Sequence, residues 1–183
     1  MTKVCIPLAN GFEDIEAVTL IDVLRRGGLE VVTAGVGGEV ITSAHNVKIF
    51  SDKKIEDIKA DDFDLVVLPG GLPGATNLAE SEEVKNLLQE MDKKGKYVGA
   101  ICAAPIALKE AGVLKEKYTA YPGWEENIRK EGYVSDKKVV EDKNVLTSKG
   151  PATAICFGLE IVKKFVGEEK YNQLKSGLLA DFC

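Results

Sequence analysis

Short, nearly all-apolar runs alternate along this chain with stretches whose apolar residues recur every three or four positions. That alternation limits the fold more than any other feature. The runs at 3–8 (KVCIPL), 29–34 (LEVVTA), 65–68 (LVVL), 98–101 (VGAI) and 145–148 (VLTS) have strand length and turn residues at their ends. Helical spacing covers 13–26, with Ile15, Val18, Ile21, Val23 and Leu24 as its apolar positions, and then 82–94, 104–111, 152–165 and 168–179. Gly27-Gly28 is a good stop for the first helix. Strands apolar on both faces and separated by helices predict a mostly parallel sheet covered by helices on both sides, an α/β fold of three layers. The stretches 36–52 and 139–144 read as hairpin or edge additions. No repeat, low-complexity tract or Pro/Gly/Ser linker divides the 183 residues, so one domain over 1–183 is expected.

Composition removes several function classes. Lysines and arginines number 24 against 29 acids, giving a net charge of −5 with the two signs interspersed, so the basic footprint of a nucleic-acid-binding surface is missing. The first apolar stretch is too short for a signal peptide and runs into acidic residues. No run approaches the roughly 20 apolar residues that span a bilayer, and a cytoplasmic protein is expected. The four cysteines, Cys5, Cys102, Cys156 and Cys183, lie far apart with no CxxC pair, and are expected as free thiols. A single histidine, His45, argues against a zinc site of histidines and cysteines.

In open parallel sheets, ligand sites collect beyond the carboxyl ends of the strands, which directs attention to the residues after Leu8, Leu68, Ile101 and Ser148. After Ile101, Cys102-Ala103-Ala104-Pro105 leads into a helix, the strand–turn–helix pattern of a nucleophile elbow with small neighbours. A helix N-terminus there would favour the thiolate; a buried structural cysteine is the equally weighted alternative. After Leu68, the glycines of Pro69-Gly70-Gly71 suit either an anion cradle facing Cys102 or an ordinary strand-to-helix turn. Glu16 lies one turn into the first helix between Ile15 and Ala17. It can point across the strand ends as a protonated acid or stand as a solvated helix residue. Ser148-Lys149-Gly150-Pro151 opens a long helix and reads as a pocket wall or a plain cap.

Taken together, GFEDIEA, VVLPGG, AICAAP and LTSKGPATA resemble the ThiJ/PfpI superfamily in order and separation. The resemblance runs over essentially the whole chain and is closest to the branch of the Parkinsonism-associated protein deglycase and its bacterial homologues. It implies a flavodoxin-like fold and a homodimer with its pocket near the interface, Arg26 and His45 lying close to that surface. It also implies that Cys102 is the nucleophile, prone to oxidation, and that Glu16 is its protonated acid/base partner. Gly71 and Ala103 would supply the oxyanion-type N–H groups, and Gly70, Lys149, Gly150 and Pro151 would line the pocket.

Two departures bear on function. Ala103 follows the cysteine where peptidase-like members carry a histidine, which argues against proteolysis. Tyr121, in TAYPGWEEN, stands where the deglycase branch often has a histidine, which removes a proton shuttle. The implied activity is a cofactor-free, metal-free, cysteine-dependent glyoxalase or deglycase acting on α-oxoaldehydes such as methylglyoxal, or on early glycation adducts of side chains. A redox-sensing stress protein using an oxidisable Cys102, or a chaperone, is the alternative.

Overall fold

Burial of the strands on both faces organises the molecule, whose computed structural model describes all of Met1–Cys183. The strands are β1 (Lys3–Leu8), β2 (Glu30–Gly35), β3 (Val40–Thr42), β4 (Lys48–Phe50), β5 (Lys53–Lys54), β6 (Leu65–Leu68), β7 (Tyr97–Ile101), β8 (Val139–Asp142) and β9 (Val145–Ser148). The helices are α1 (Asp14–Arg26), α2 (Gly74–Glu80), α3 (Glu82–Lys93), α4 (Pro105–Glu110), α5 (Ala154–Phe165) and α6 (Glu168–Gly177). Seven strands form one sheet in the order β5-β2-β1-β6-β7-β9-β8, and β3 and β4 pair as a separate antiparallel hairpin. Every pairing in the large sheet is parallel except that of the edge strand β8 with β9.

Alternate residues of each strand feed opposite layers, as the two-residue period of a strand requires. Val66 and Leu68 pack with α2, α3 and α4, whereas Leu65 and Val67 pack with α1 and α5. The result is the flavodoxin-like three-layer sandwich. Each fully buried Leu, Ile, Val or Phe side chain contributes about 1.5–3 kcal/mol, an upper estimate because unfolded chains already bury some surface. Cys102, directly after the interior strand β7, touches both layers.

The expected strands all form within one residue of their sequence limits. Helix α2 was not anticipated, because GATNLAE carries too few apolar positions to set a helical period. Residues 151–153 form a 3-10 turn ahead of α5 rather than its first turn. The expectation of four free thiols fails at one pair. Cys156 and Cys183 form a disulfide, their Cα atoms 5.2 Å apart, while Cys5 and Cys102 are free. The pair escapes sequence reading because its 27-residue separation is closed by α6 folding back onto α5, which seats Ala180 and Leu178 against Leu159 and Val23. No helix is long and apolar enough to cross a membrane.

Helices α1 and α5 cross at Gly158, where an added Cβ would lie 2.8 Å from Val23 Cγ1 and 3.0 Å from its Cβ. Alanine normally gains about 0.5–1 kcal/mol over glycine inside a helix, but overpacking a tight core costs about 1–3 kcal/mol. Gly158→Ala is therefore expected to destabilise the protein, read as a lower urea midpoint with an unchanged slope.

Candidate active site

Three neighbouring strands, β1, β6 and β7, deliver one site element each at their carboxyl ends. Strand β7 ends at Ile101, and Cys102 follows with φ of +66°. That left-handed conformation is uncommon for a side chain other than Asn or Asp and typically costs of order 1–3 kcal/mol. The Cys102 N–H donates to Ser148 O at 3.0 Å, and its carbonyl accepts from Tyr121 N at 2.9 Å. These two bonds hold the residue in its turn from both sides. Ala103 and Ala104 are buried, and α4 starts at Pro105. The elbow read from AICAAP is present.

Strand β1 leads through Asn10-Gly11-Phe12-Glu13 into α1, whose second turn is reached only after Glu16. Glu16 is fully buried, unlike its helix neighbours Ile15 and Val18. Its Oε2 accepts from Gly70 N at 2.7 Å, and its carboxyl group is in hydrogen-bonding reach of the Cys102 thiol. Oε1 is buried with no partner. Burial is the largest influence and pushes the Glu16 carboxyl from 4.5 up to about 7 against the opposing Gly70 bond.

Strand β6 supplies Gly70 and Gly71. A Cβ on Gly70 would stand 2.6 Å from both Cys102 Cβ and Glu16 Oε2, so only glycine fits between acid and thiol. Gly71 has φ of +93°, and a Cβ there would meet Glu13 N at 2.3 Å. The two loops are locked together by Glu13 N donating to Gly70 O at 2.9 Å and Asn77 Nδ2 donating to Asn10 O at 2.9 Å. Gly11, which the sequence reading passed over, belongs to this contact, its Cβ position lying 2.4 Å from Pro73 Cδ. The signal available was the Asn-Gly dipeptide directly after a strand.

The Cys102 sulfur faces the backbone N–H groups of Ala103 and Gly71, which favour its anion. Burial and then the Glu16 charge outweigh them and push the thiol up to about 12. The expected lowering by a helix N-terminus is thus reversed while Glu16 is ionised. A thiolate at Cys102 needs a protonated Glu16, because a neutral carboxyl removes the like-charge repulsion and leaves only burial opposing the N–H groups.

The remaining expectations divide. Gly150 is buried against the Tyr121 ring, 3.2 Å from its Cβ position, and Gly150 N donates to Thr153 Oγ1. Tyr121 is about half exposed, at 48%, and its carbonyl accepts from Trp124 N at 2.9 Å. Pro151 begins the turn beyond Gly150. The Lys149 ammonium donates to Ser135 O at 2.7 Å. His45 is exposed on the β3–β4 hairpin, with Nδ1 2.8 Å from Asp14 Oδ2. That bond and the Glu13 charge raise its pKa. Glu13, Asp14 and His45 are close enough to hold a cation, but Asp14 is already engaged by His45 and Ser43. Two cavities, of about 700 and about 180 Å³, have linings that include neither Cys102 nor Glu16.

A parallel three-layer sandwich with a cysteine elbow paired to a buried glutamate defines a family, and comparison with known proteins agrees. The family model described as DJ-1/PfpI family matches residues 2–164. Protein dj-1beta of Drosophila melanogaster is 41% identical over 178 residues, covering 96% of this chain and 95% of that protein. Its crystal structure superposes with a TM-score of 0.93 over 97% of both chains at 40% identity. The Caenorhabditis elegans protein named glutathione-independent glyoxalase DJR-1.2 is 40% identical over 164 residues, 88% of this chain and 87% of its own. The chain belongs to the DJ-1/PfpI family.

The raised Glu16 pKa has a thermodynamic signature. Between its ordinary value of 4.5 and about 7, the folded protein binds more protons at Glu16 than the unfolded chain. The associated stability is fully present below the lower value and is lost as pH rises through the upper one, in total about 3 kcal/mol. Urea unfolding across this window is expected to show that decline in wild type and not in Glu16→Gln.

Proposed function

We propose that this protein is a cofactor-independent glyoxalase that converts small α-oxoaldehydes such as methylglyoxal into hydroxy acids, with Cys102 and Glu16 as its catalytic residues. The observation that carries this reading is the buried carboxyl group of Glu16 held against a half-buried Cys102 whose sulfur faces two backbone N–H groups. In the competent form the shared proton sits on Glu16 and the negative charge on Cys102. The thiolate attacks the aldehyde carbon, and the new oxyanion takes the Gly71 and Ala103 N–H groups as donors. Protonation gives a hemithioacetal. Glu16, near neutral in pKa, then removes the proton from the former aldehyde carbon and returns one to the neighbouring carbonyl carbon. The product is a thioester, and water hydrolyses it to the hydroxy acid and frees the sulfur. Atoms balance as aldehyde plus one water. Early glycation adducts carrying the same carbon skeleton are a related substrate class. The name of the nematode relative supports this reading.

The same half-exposed sulfur supports a second reading, a redox sensor in which peroxide oxidises Cys102. Lactate formation from methylglyoxal without added glutathione separates the two. Wild type is expected to turn over, Cys102→Ser to lose all activity, and Glu16→Gln to lose at least about 100-fold. No lactate from wild type carrying a verified reduced thiol would remove the enzyme reading for this substrate and leave the sensor.

The protein is further proposed to work as a homodimer in the cytoplasm through the face of α1 and its neighbouring hairpin. Ile15, Val18, Val47 and Phe50 all expose apolar side chains there, Phe50 at 78%. Hydrogen bonds from Ser43 and His45 to Asp14 hold the hairpin on α1. Such a patch on a chain of this charge fits a second copy better than solvent. Phe50→Glu is expected to shift the light-scattering mass from dimer to monomer at equal concentration. An unchanged dimer would place the interface elsewhere.

A further inference from the structure

We infer that Cys156 and Cys183 form a second redox site, independent of Cys102, that exchanges with small thiols and disulfides and latches residues 178–183 onto α5. Three observations carry it. The two cysteines are joined as a disulfide, while Cys102 remains free and packs against other core clusters than Cys183 does. Both cysteines line a cavity of about 700 Å³, open to solvent, whose wall carries four lysines against three acids. Cys156 is buried at 4% exposure, whereas Cys183 is only half-buried, so an incoming thiolate reaches the Cys183 sulfur first.

Exchange there follows ordinary thiol chemistry. A small thiolate attacks Cys183 Sγ, and the S–S bond breaks. Its electron pair leaves on the Cys156 sulfur, which takes up a proton; cations in the cavity wall favour this leaving thiolate. A second small thiolate then attacks the mixed disulfide at its small-molecule sulfur and releases Cys183 as the thiol. In sum, the protein disulfide and two small thiols give two protein thiols and one small disulfide; the reverse reaction closes the latch with a small disulfide as the oxidant.

The latched segment has few other anchors. Ala180 is its one buried side chain, packed with Val23, Leu159 and Tyr171, and Leu179 and Phe182 are exposed. Across the cavity mouth, the Lys138 ammonium donates to the Phe182 carbonyl. The backbone bonds of Leu178, Leu179, Ala180 and Cys183 are all local, reaching no farther than Leu174. With so little else to hold it, the segment depends on the covalent link for its position.

The test uses the full chain with Cys102→Ser, which removes the other reactive thiol. The folded protein is equilibrated in buffers of graded reduced and oxidised dithiothreitol, then alkylated and mapped by peptide mass spectrometry. Amide hydrogen exchange is followed in parallel. Cys156 and Cys183 are expected to become labelled together in one two-electron transition, while the fully buried Cys5 stays unlabelled. Exchange in residues 178–183 is expected to speed up by about tenfold or more on reduction. Cys183→Ser should exchange at the fast rate in every buffer. A pair that resists the reduced buffer in the folded protein, or that is found as free thiols in the oxidised one, overturns the exchange site. Equal exchange rates in the reduced and oxidised forms, or slow exchange in Cys183→Ser, overturn the latch.

Discussion

Gly70 lies between a buried carboxyl group and a cysteine held at positive φ, and the arrangement of the rest of the molecule depends on that three-layer contact. No other residue fits, because any Cβ would enter both neighbours. The three participants come from the segments that follow β6, β7 and β1, strands adjacent in the sheet, Glu16 from the first turn of α1. A parallel sheet brings the carboxyl ends of neighbouring strands to the same edge, so sheet order alone gathers residues 16, 70 and 102 from far apart in the chain. The helix layers on either side pack against Cys102 and leave it half-buried.

Electrostatics at that contact are a contest, and magnitudes decide it. A helix N-terminus stabilises a nearby anion by about 0.3–1 kcal/mol, rising to about 2 in buried geometries. Two like charges about 4 Å apart in a partly screened interior repel by about 4 kcal/mol. Burial of the sulfur, the largest influence, and then this repulsion outweigh the N–H groups, so the pair does not easily carry two negative charges. The free Oε1 of Glu16 fits this picture, since an unpartnered carboxylate oxygen in the core costs far more than a neutral hydroxyl. Reactivity of the sulfur is therefore governed from the glutamate.

Much of this was legible in the chain itself. The apolar runs marked the strands because both faces of each are covered, and the elbow was readable in AICAAP because a tight turn demands small residues beside the cysteine. Glu16 could be placed on its helix but not given its burial, which depends on the distant Gly70 and Cys102 folding against it. The direction of the Cys102 shift was misjudged for the same reason: local pattern shows the helix N-terminus but neither the burial of the sulfur nor the Glu16 charge beside it. The bond from the Lys149 ammonium to the Ser135 carbonyl was not readable, because tertiary folding brings the two together. The Cys156–Cys183 bond and helix α2 left no local trace, one being closed by tertiary folding and the other too short to show a period.

The turn that holds Cys102 also has an optical consequence. Tyr121 binds the cysteine carbonyl through its N–H, and its own carbonyl accepts from Trp124. Trp124 is the sole tryptophan of the chain, partly buried against the layer that contains α4. Two backbone bonds therefore separate the sulfur's residue from the only indole in the molecule. A shift of the elbow is passed to an intrinsic fluorophore, and the emission of the unlabelled protein becomes a running record of what happens at its cysteine.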